Sequence, residues 1–312
     1  MVGSHVVELL VARGDHVVAV DDLSTGDLAN LAPVVGSDGL EFVESCAADL
    51  AALPDDTAAV LHLGSPASPR HFRDLPVEVL RAGSVATLNL LELAERAGAT
   101  FLFASSSEVY GEPEVHPQTE DYRGSVSTLG ERACYDEAKR FSEAAVDTYR
   151  LRRGLDTRIV RIFNTYGPRM RLDDGRIVVS FVQQALAGEP LTVHGDGTQT
   201  RSFCYVDDLA RGIVRLLDSD VTVPVNMGST DEHTVLDIAE LILRLTASDS
   251  DLTFVDRPEN DPSRRRPDLT RARELLGWEP VVELEDGMTR TVASIAEQVG
   301  VAVPAAVGGE PS

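Results

Sequence analysis

Short apolar segments alternate with longer helical segments through the first half of this chain, and no other feature restricts its fold as much. The longest helical segments are Val77–Ala97 and Ala133–Arg152. Strands that alternate with helices of this length are typical of βαβ units, which build a parallel sheet covered by helices on both faces. The sequence therefore predicts an α/β, doubly wound, Rossmann-like parallel sheet. The predicted strands are His16–Val20, Leu40–Val43, Ala59–Leu63, Thr100–Ala104 and Thr157–Ile162.

The start of the sequence departs from the usual opening of such a sheet. A doubly wound sheet normally begins with a strand and a Gly-rich turn that leads into the first helix. Here an amphipathic helix at Val6–Ala12 ends near Gly14, and Gly3 matches only the third glycine of a GxxGxxG loop. We therefore expect the first strand of the sheet to be missing and the grip on a dinucleotide pyrophosphate to be weakened.

Asp21 closes the first predicted strand, 18 residues after Gly3. An acid at this distance is suited to accept the ribose hydroxyls of NAD and to repel the 2′-phosphate of NADP. A turn residue at the end of a strand is the alternative interpretation, and from this position alone the alternative is the stronger one.

Charge and cysteine content argue against several classes of function. The formal net charge is −23, whereas nucleic acids and anionic membranes require a basic footprint. Cys46, Cys134 and Cys204 show no CxxC spacing, which argues against a disulfide framework and a zinc site. No apolar run approaches the roughly 18 residues that cross a bilayer, and no basic-then-apolar leader is visible. We expect a cytoplasmic protein that binds no metal, nucleic acid or membrane.

A serine-rich strand end and a tyrosine–lysine pair carry the candidate chemistry. Ser105–Gly111 has the sequence SSSEVYG, and Tyr135 and Lys139 follow on a predicted helix. Residues four apart face the same side of a helix. A nearby ammonium group and the positive nicotinamide ring of NAD would lower the phenol pKa, so that Tyr135 could act as a base. Ser106 could orient the same substrate oxygen.

Such a pair is common by chance, and a surface helix with a tyrosine and a charge is the alternative. Lys139 is, however, the single lysine among the 28 basic residues. An amine combines compact charge with a tunable pKa, which a guanidinium does not. Together with the serine-rich strand end in a βαβ context, this favours catalysis.

Four segments resemble the UDP-glucuronate decarboxylases (UDP-xylose synthases) of the extended short-chain dehydrogenase/reductase superfamily. They are residues 107–118, 132–139, 162–170 and 261–268, and the resemblance runs from Val2 to about Ala293. It implies that NAD oxidises the sugar C4 hydroxyl to a ketone β to the C5 carboxylate, which then leaves as CO₂. Protonation at C5 and hydride return give UDP-xylose.

The resemblance also implies the roles of individual residues. Tyr135 is the base, Lys139 tunes it, Ser106 orients the C4 oxygen, and Glu108 and Arg201 supply or relay the proton at C5. The predicted NAD contacts are Gly3, Asp21, Asp49, Leu63, Ser65, Tyr135 and Lys139. The predicted UDP-sugar contacts are Ser107, Asn164, Arg169, His194, Arg201 and Arg265.

The expected organisation is an NAD-binding domain and a smaller C-terminal α/β domain that binds the UDP-sugar. The first comprises residues 1–165 and about 203–226, the second about 166–202 and 227–300, and residues 301–312 form a loose tail. Helices of the second half are predicted at Gly175–Leu186, Leu209–Leu217, Val235–Thr246 and Thr270–Leu276. The family further implies a homodimer, formed through Val77–Ala97 and Ala133–Arg152.

Gly83 departs from the family pattern, because relatives usually carry an asparagine there, near the nicotinamide. A looser hold on NADH would release the UDP-4-keto-pentose as a second product. Two alternatives remain open. One is a nucleotide-sugar 4,6-dehydratase or 4-epimerase, although the dehydratases carry an aspartate at the position of Ser107 and the 4-epimerases generally have no acid at either this position or that of Glu108. The other is a non-catalytic UDP-sugar-binding dimer subunit, which would bind UDP without NAD.

Overall fold

The strands of the first half pair in parallel, with helices between them, in a computed structural model that describes residues 1–257 and 264–303. The described strands are β1 Val17–Asp21, β2 Leu40–Glu44, β3 Ala59–His62, β4 Thr100–Ser106, β5 Thr157–Ile162, β6 Thr165–Tyr166, β7 Leu191–His194, β8 Thr200–Ser202, β9 Cys204–Tyr205, β10 Val225–Met227, β11 Glu232–Thr234, β12 Leu252–Val255 and β13 Arg264–Arg265. The described helices are α1 Val2–Arg13, α2 Pro69–Asp74, α3 Pro76–Arg81, α4 Thr87–Ala97, α5 Ala133–Arg153, α6 Ile177–Ala187, α7 Val206–Leu217, α8 Val235–Thr246, α9 Thr270–Leu276 and α10 Leu284–Val299.

The main sheet has the strand order β10-β5-β4-β3, and every pair in it is parallel. Strands β1 and β2 form a separate parallel pair. The predicted Rossmann-like fold is therefore confirmed, but its strands form two hydrogen-bonded pieces within the described residues. The first described element is α1.

Element bounds agree closely with prediction wherever the apolar period was strong. Helix α8 and helix α9 have the predicted bounds, and α5 extends one residue further than predicted, to Arg153. The segment predicted as one helix at Val77–Ala97 consists of α3, a π-helical turn at Ala82–Ala86, and α4. Helix α10 was not predicted.

Three large clusters of buried apolar side chains account for most of the core. Two cover the main sheet, one with α1, α7 and α9 and the other with α4 and α5. The third lies among α6, α8 and α10. The division into two domains at the stated bounds stays a prediction, and residues 304–312 of the predicted tail lie outside the described residues. No helix in the described part of the chain is long and apolar enough to span a membrane.

The π-helical turn packs closely against α5 through Gly83. A Cβ atom on Gly83 would lie 2.5 Å from the Ala138 Cβ, closer than such atoms approach. The Ser142 hydroxyl also donates to the Gly83 carbonyl at 2.6 Å. A side chain at position 83 would thus point at α5, so the absence of an asparagine here follows from close helix packing. This contact fixes the position of the helix that carries Tyr135 and Lys139.

We predict that Gly83→Ala lowers the free energy of unfolding by about 1–3 kcal/mol, because the added methyl overpacks the contact. In an Ala138→Gly background the same change should lower the free energy of unfolding by less, because the facing methyl group is gone. Gly3→Ala is the matched control, because no atom lies within 4 Å of a Cβ built there. Urea unfolding of the four proteins of the double-mutant cycle measures the coupling. An additive cycle would contradict the packing argument.

Candidate active site

The carboxyl ends of β3, β4 and β5 open into one cleft of about 650 Å³. Carboxyl ends of parallel strands meet at the same edge of a sheet, which is where ligands bind in doubly wound folds. Most of the predicted site residues reach this cleft. They are Leu63, Ser65, Ser106, Ser107, Glu108, Tyr135, Lys139, Asn164, His194, Arg201 and Arg265.

Lys139 is buried between α5 and the end of β4. Its Nζ donates to the Ala104 carbonyl at 2.8 Å and lies 4.9 Å from the Phe103 ring centre and 5.6 Å from that of Tyr135. Burial lowers the pKa of the Lys139 ammonium to about 8, although the Glu143 carboxylate opposes this shift. The predicted pairing of Tyr135 with Lys139 on one face of a helix is thus present, and the ammonium faces the sheet.

Tyr135 is buried beneath the stacked ring of Phe72, whose centre lies 4.7 Å away. Burial raises the pKa of the Tyr135 phenol to about 12, while a hydrogen bond with Ser106 lowers it. Without NAD, removal of the phenolate from water raises the pKa, and the Glu108 carboxylate adds to this rise. The lowered pKa that we expect with NAD bound stays a prediction. The hydrogen bond between Ser106 and Tyr135 does bring together the two hydroxyls that were predicted to hold one substrate oxygen.

Glu108 lies between two arginines at the end of β4. Arg132 Nη2 is 2.5 Å from Glu108 Oε2, and Arg265 Nη1 is 3.1 Å from Glu108 Oε1. Arg265 also donates to the Ser107 hydroxyl at 3.0 Å. Burial favours the neutral acid, but the Arg265 and Arg132 guanidinium groups outweigh it and hold the pKa of Glu108 at about 2. Glu108 is consequently ionised at neutral pH.

Arg132 was not among the predicted site residues. It precedes Tyr135 by three residues, within a segment that carries the family resemblance. That position was the available signal, but nothing in the sequence indicates that Arg132 pairs with a residue 24 positions earlier. Only the packing of the start of α5 on the end of β4 brings the two together.

Arg201 and Arg265 lie opposite each other on the paired strands β8 and β13. Both line the cleft, together with Arg132, Arg176 and Lys139, and Glu108 is the one acidic side chain among the described lining residues. The cleft is therefore locally basic in a chain of net charge −23. Such a cluster suits an anionic ligand, because guanidinium groups bind carboxylates and phosphates in a bidentate manner.

The remaining predicted contacts lie around the cleft without lining it. Arg169 donates to Ser4 Oγ at 3.2 Å and pairs with Glu8, so its guanidinium lies on the first turns of α1. Asp21 lies at the carboxyl end of β1, where its Oδ1 accepts from the Leu23 amide. Asp49 lies in a short 3₁₀ turn. Their ligand roles stay predictions.

The hydrogen-bond donors and acceptors at these positions suit the chemical groups of NAD. Val2, the first residue of α1, lines the cleft, and α1 carries no acid in its first turn, so its amides suit an anionic pyrophosphate. The Asp21 carboxylate suits ribose hydroxyls. Tyr135 and Lys139 line the same cleft and would lie beside the reacting ring. Gly3 has open space around its Cβ position, so close packing does not require a glycine there.

We predict that Glu108→Gln destabilises the protein by about 3 kcal/mol at pH 7, because it leaves the buried Arg265 charge poorly compensated. The pKa of Glu108 is lower in the folded chain, so its stabilising effect is complete above about pH 4.5 and is lost as the pH falls toward 2. Urea unfolding at pH 7 and about pH 3 measures the free energy of unfolding of the parent protein and of Glu108→Gln. The difference between the two should be smaller at the lower pH. An equal difference at both values would refute the assigned ionisation.

Comparisons with known proteins agree with this geometry. Residues 1–228 match the model of the NAD dependent epimerase/dehydratase family. UDP-glucuronic acid decarboxylase 1 of Danio rerio is 46% identical over 298 residues, which are 96% of this chain and 71% of that protein. UDP-glucuronic acid decarboxylase 4 of Arabidopsis thaliana is 45% identical over 298 residues, covering 96% and 67% respectively.

Solved structures extend the similarity to the fold. A UDP-glucose 4-epimerase from Thermotoga maritima, determined with UDP-glucose, superposes with a TM-score of 0.86 at 28% identity, covering 96% of both chains. A variant UDP-glucuronic acid 4-epimerase from Bacillus cereus, in complex with UDP-4-deoxy-4-fluoro-glucuronic acid and NAD, superposes with a TM-score of 0.87 at 25% identity, covering 96% of both chains.

Proposed function

Because this chain belongs to the NAD dependent epimerase/dehydratase family, we propose that it is a UDP-glucuronate decarboxylase that uses bound NAD. The relatives named decarboxylases match nearly the whole chain. One structural observation carries the proposal. The Ser106–Tyr135–Lys139 group opens into the same cleft as Glu108 and the arginines that flank it. A site for oxidation thus lies beside a site for a carboxylate.

The first step is oxidation at C4 of the sugar. Bound NAD would supply the hydride acceptor for C4 and a positive charge that favours the phenolate, and Tyr135 and Lys139 would lie beside its reacting ring. Tyr135 takes the proton of the C4 hydroxyl, and Ser106 orients the same oxygen. Lys139 is held by the Ala104 carbonyl, so its charge stays fixed below the phenol ring while the proton moves.

Loss of CO₂ follows from the position of the ketone. The C4 ketone is β to the carboxylate on C5, so when the C5–carboxyl bond breaks, its electron pair delocalises onto the C4 oxygen. Arg201 and Arg265 suit the carboxylate before this step and the enolate after it. Because Glu108 is ionised at neutral pH, it relays the proton that reaches C5 and is not its primary source. Hydride return then gives UDP-xylose, and early release gives the UDP-4-keto-pentose.

A 4-epimerase is the second candidate, favoured by the solved epimerases that share this fold. A non-catalytic UDP-sugar-binding subunit fits less well. Lys139 and Tyr135 are both buried at the cleft, and Lys139 is held there by the Ala104 carbonyl. Binding of UDP alone does not require a buried lysine beside a buried tyrosine.

We also propose a homodimer, formed by a second copy on the exposed faces of α3, α4 and α5. Apolar side chains recur along one face of the α3–α4 segment, and Phe141 on α5 adds to them. The exposed residues are Val77, Leu80, Val85, Leu88 and Phe141. Isologous pairing of these faces would bury them in a four-helix interface. The free thiols Cys46, Cys134 and Cys204 support a cytoplasmic location.

The activity is tested by incubating the purified protein with UDP-glucuronate and NAD⁺ and measuring CO₂ release and the nucleotide sugars by mass. We expect CO₂ with UDP-xylose, the UDP-4-keto-pentose or both. Tyr135→Phe should lower the rate by at least about 10²-fold, because it removes the acid–base group. Tyr149→Phe, on the same helix, is the matched control. Turnover of UDP-glucose or UDP-glucuronate to epimers without CO₂ would favour the epimerase instead.

The dimer is tested by sedimentation velocity at micromolar concentration. Leu80→Asp should shift the protein from dimer to monomer, because it places a charge in an apolar interface. Val281→Asp, at an exposed valine outside these helices, should leave the mass unchanged. A monomeric parent protein, or a dimer that survives Leu80→Asp, would rule out this interface.

A further inference from the structure

Asp136 is a buried carboxyl group that the mechanism above does not use. It follows Tyr135 on α5 and is 7% exposed. Its Oδ1 is buried and has no hydrogen-bond partner among the described residues. An ionised carboxylate in that condition is strongly disfavoured, because burial removes water and nothing replaces it. The surroundings of Asp136 therefore favour the protonated form of its carboxyl group.

The charges around Asp136 belong to the site. Burial raises the pKa of the Asp136 carboxyl to about 7, and the Glu108 carboxylate adds to the shift, while Arg132 and Arg265 oppose it. Glu137, the next residue on α5, acts in the same direction as Glu108. One turn further along α5, Arg140 donates to the carbonyl groups of Val109 and Arg123.

We propose that Asp136 is a positioning residue that sets the charge of the site for the sugar carboxylate, an inference that rests on the proposed function. When Asp136 carries its proton, the cleft around Arg132, Arg265 and Glu108 is more positive by one charge than when Asp136 is ionised. The more positive cleft attracts the carboxylate of the substrate more strongly.

The same charge serves the reaction. When CO₂ leaves, it takes no charge with it, so the negative charge of the carboxylate remains on the enolate. The cleft with a protonated Asp136 stabilises both anionic species more strongly than the cleft with an ionised Asp136. The discrimination between an acidic and a neutral UDP-sugar should therefore fall as the pH rises through the range in which Asp136 ionises.

Calorimetric binding to the NAD-loaded protein tests this without turnover. The ligands are UDP-4-deoxy-4-fluoro-glucuronic acid, which lacks the C4 hydroxyl, and UDP-glucose. Between about pH 6 and pH 8.5, the preference for the acidic ligand should fall roughly five- to tenfold, as expected for one added charge near the site. Titrations that alter binding of the shared UDP group change both dissociation constants by the same factor, so their effect cancels in the ratio.

In Asp136→Asn, whose amide cannot ionise, the ratio should not change with pH. Glu137→Gln removes a neighbouring carboxylate from the same helix and should retain a pH-dependent ratio, with its midpoint at a slightly lower pH because Glu137 raises the pKa of Asp136. If Asp136→Asn keeps that dependence, or shifts both ligands equally at all pH values, the proposal is wrong.

A second measurement needs no variant. Near pH 8 the acidic ligand should bind with uptake of a proton, seen as a binding enthalpy that depends on the ionisation enthalpy of the buffer, and UDP-glucose should not. Absence of uptake would overturn the proposal even if Asp136→Asn does not fold. If the protein takes up the proton but releases no CO₂ from UDP-glucuronate, the charge role of Asp136 stands and the proposed reaction is wrong.

Discussion

The site depends on one buried hydrogen bond, from Lys139 on α5 to the Ala104 carbonyl near the end of β4. It joins the helix that carries Tyr135 to the strand that leads into Ser106 and Glu108. A buried ammonium is tolerated only where such an acceptor compensates for lost water. Gly83 allows the π-helical turn to press against the other side of α5. Together these contacts fix the spacing of every group that the proposed oxidation requires.

The local field of the cleft matters more than the charge of the chain. A protein with a net charge of −23 would repel an acidic nucleotide sugar at long range, but screening limits that repulsion to about a Debye length. Inside the cleft the arginines dominate. They hold the pKa of Glu108 at about 2 while the pKa of Asp136 rises to about 7. Two carboxyl groups in one cluster thereby acquire opposite protonation states, which acid–base sites commonly require.

Prediction from sequence succeeded where a repeating local pattern carried the information. Helix α8 begins with a capping box at Thr234 and Asp237 and presents a strong apolar period, so its predicted bounds agree with the observed ones. The sequence carried no such information where a distant contact decides the outcome. The direction of the Tyr135 pKa shift depends on burial beneath Phe72, a residue 63 positions earlier. The reason for glycine at position 83 lies on α5.

The sequence by itself determined the parallel α/β architecture and many of the residues that line the candidate site, because period, spacing and family resemblance are properties of the chain order. Only the tertiary structure decided how those residues act on one another. The Arg132–Glu108–Arg265 cluster joins segments of β13, α5 and the end of β4 that lie far apart in the chain. Beside it lies Asp136, whose Oδ1 has no hydrogen-bond partner in the described part of the chain. Charge and burial act through space, so their balance is set by packing and not by sequence separation.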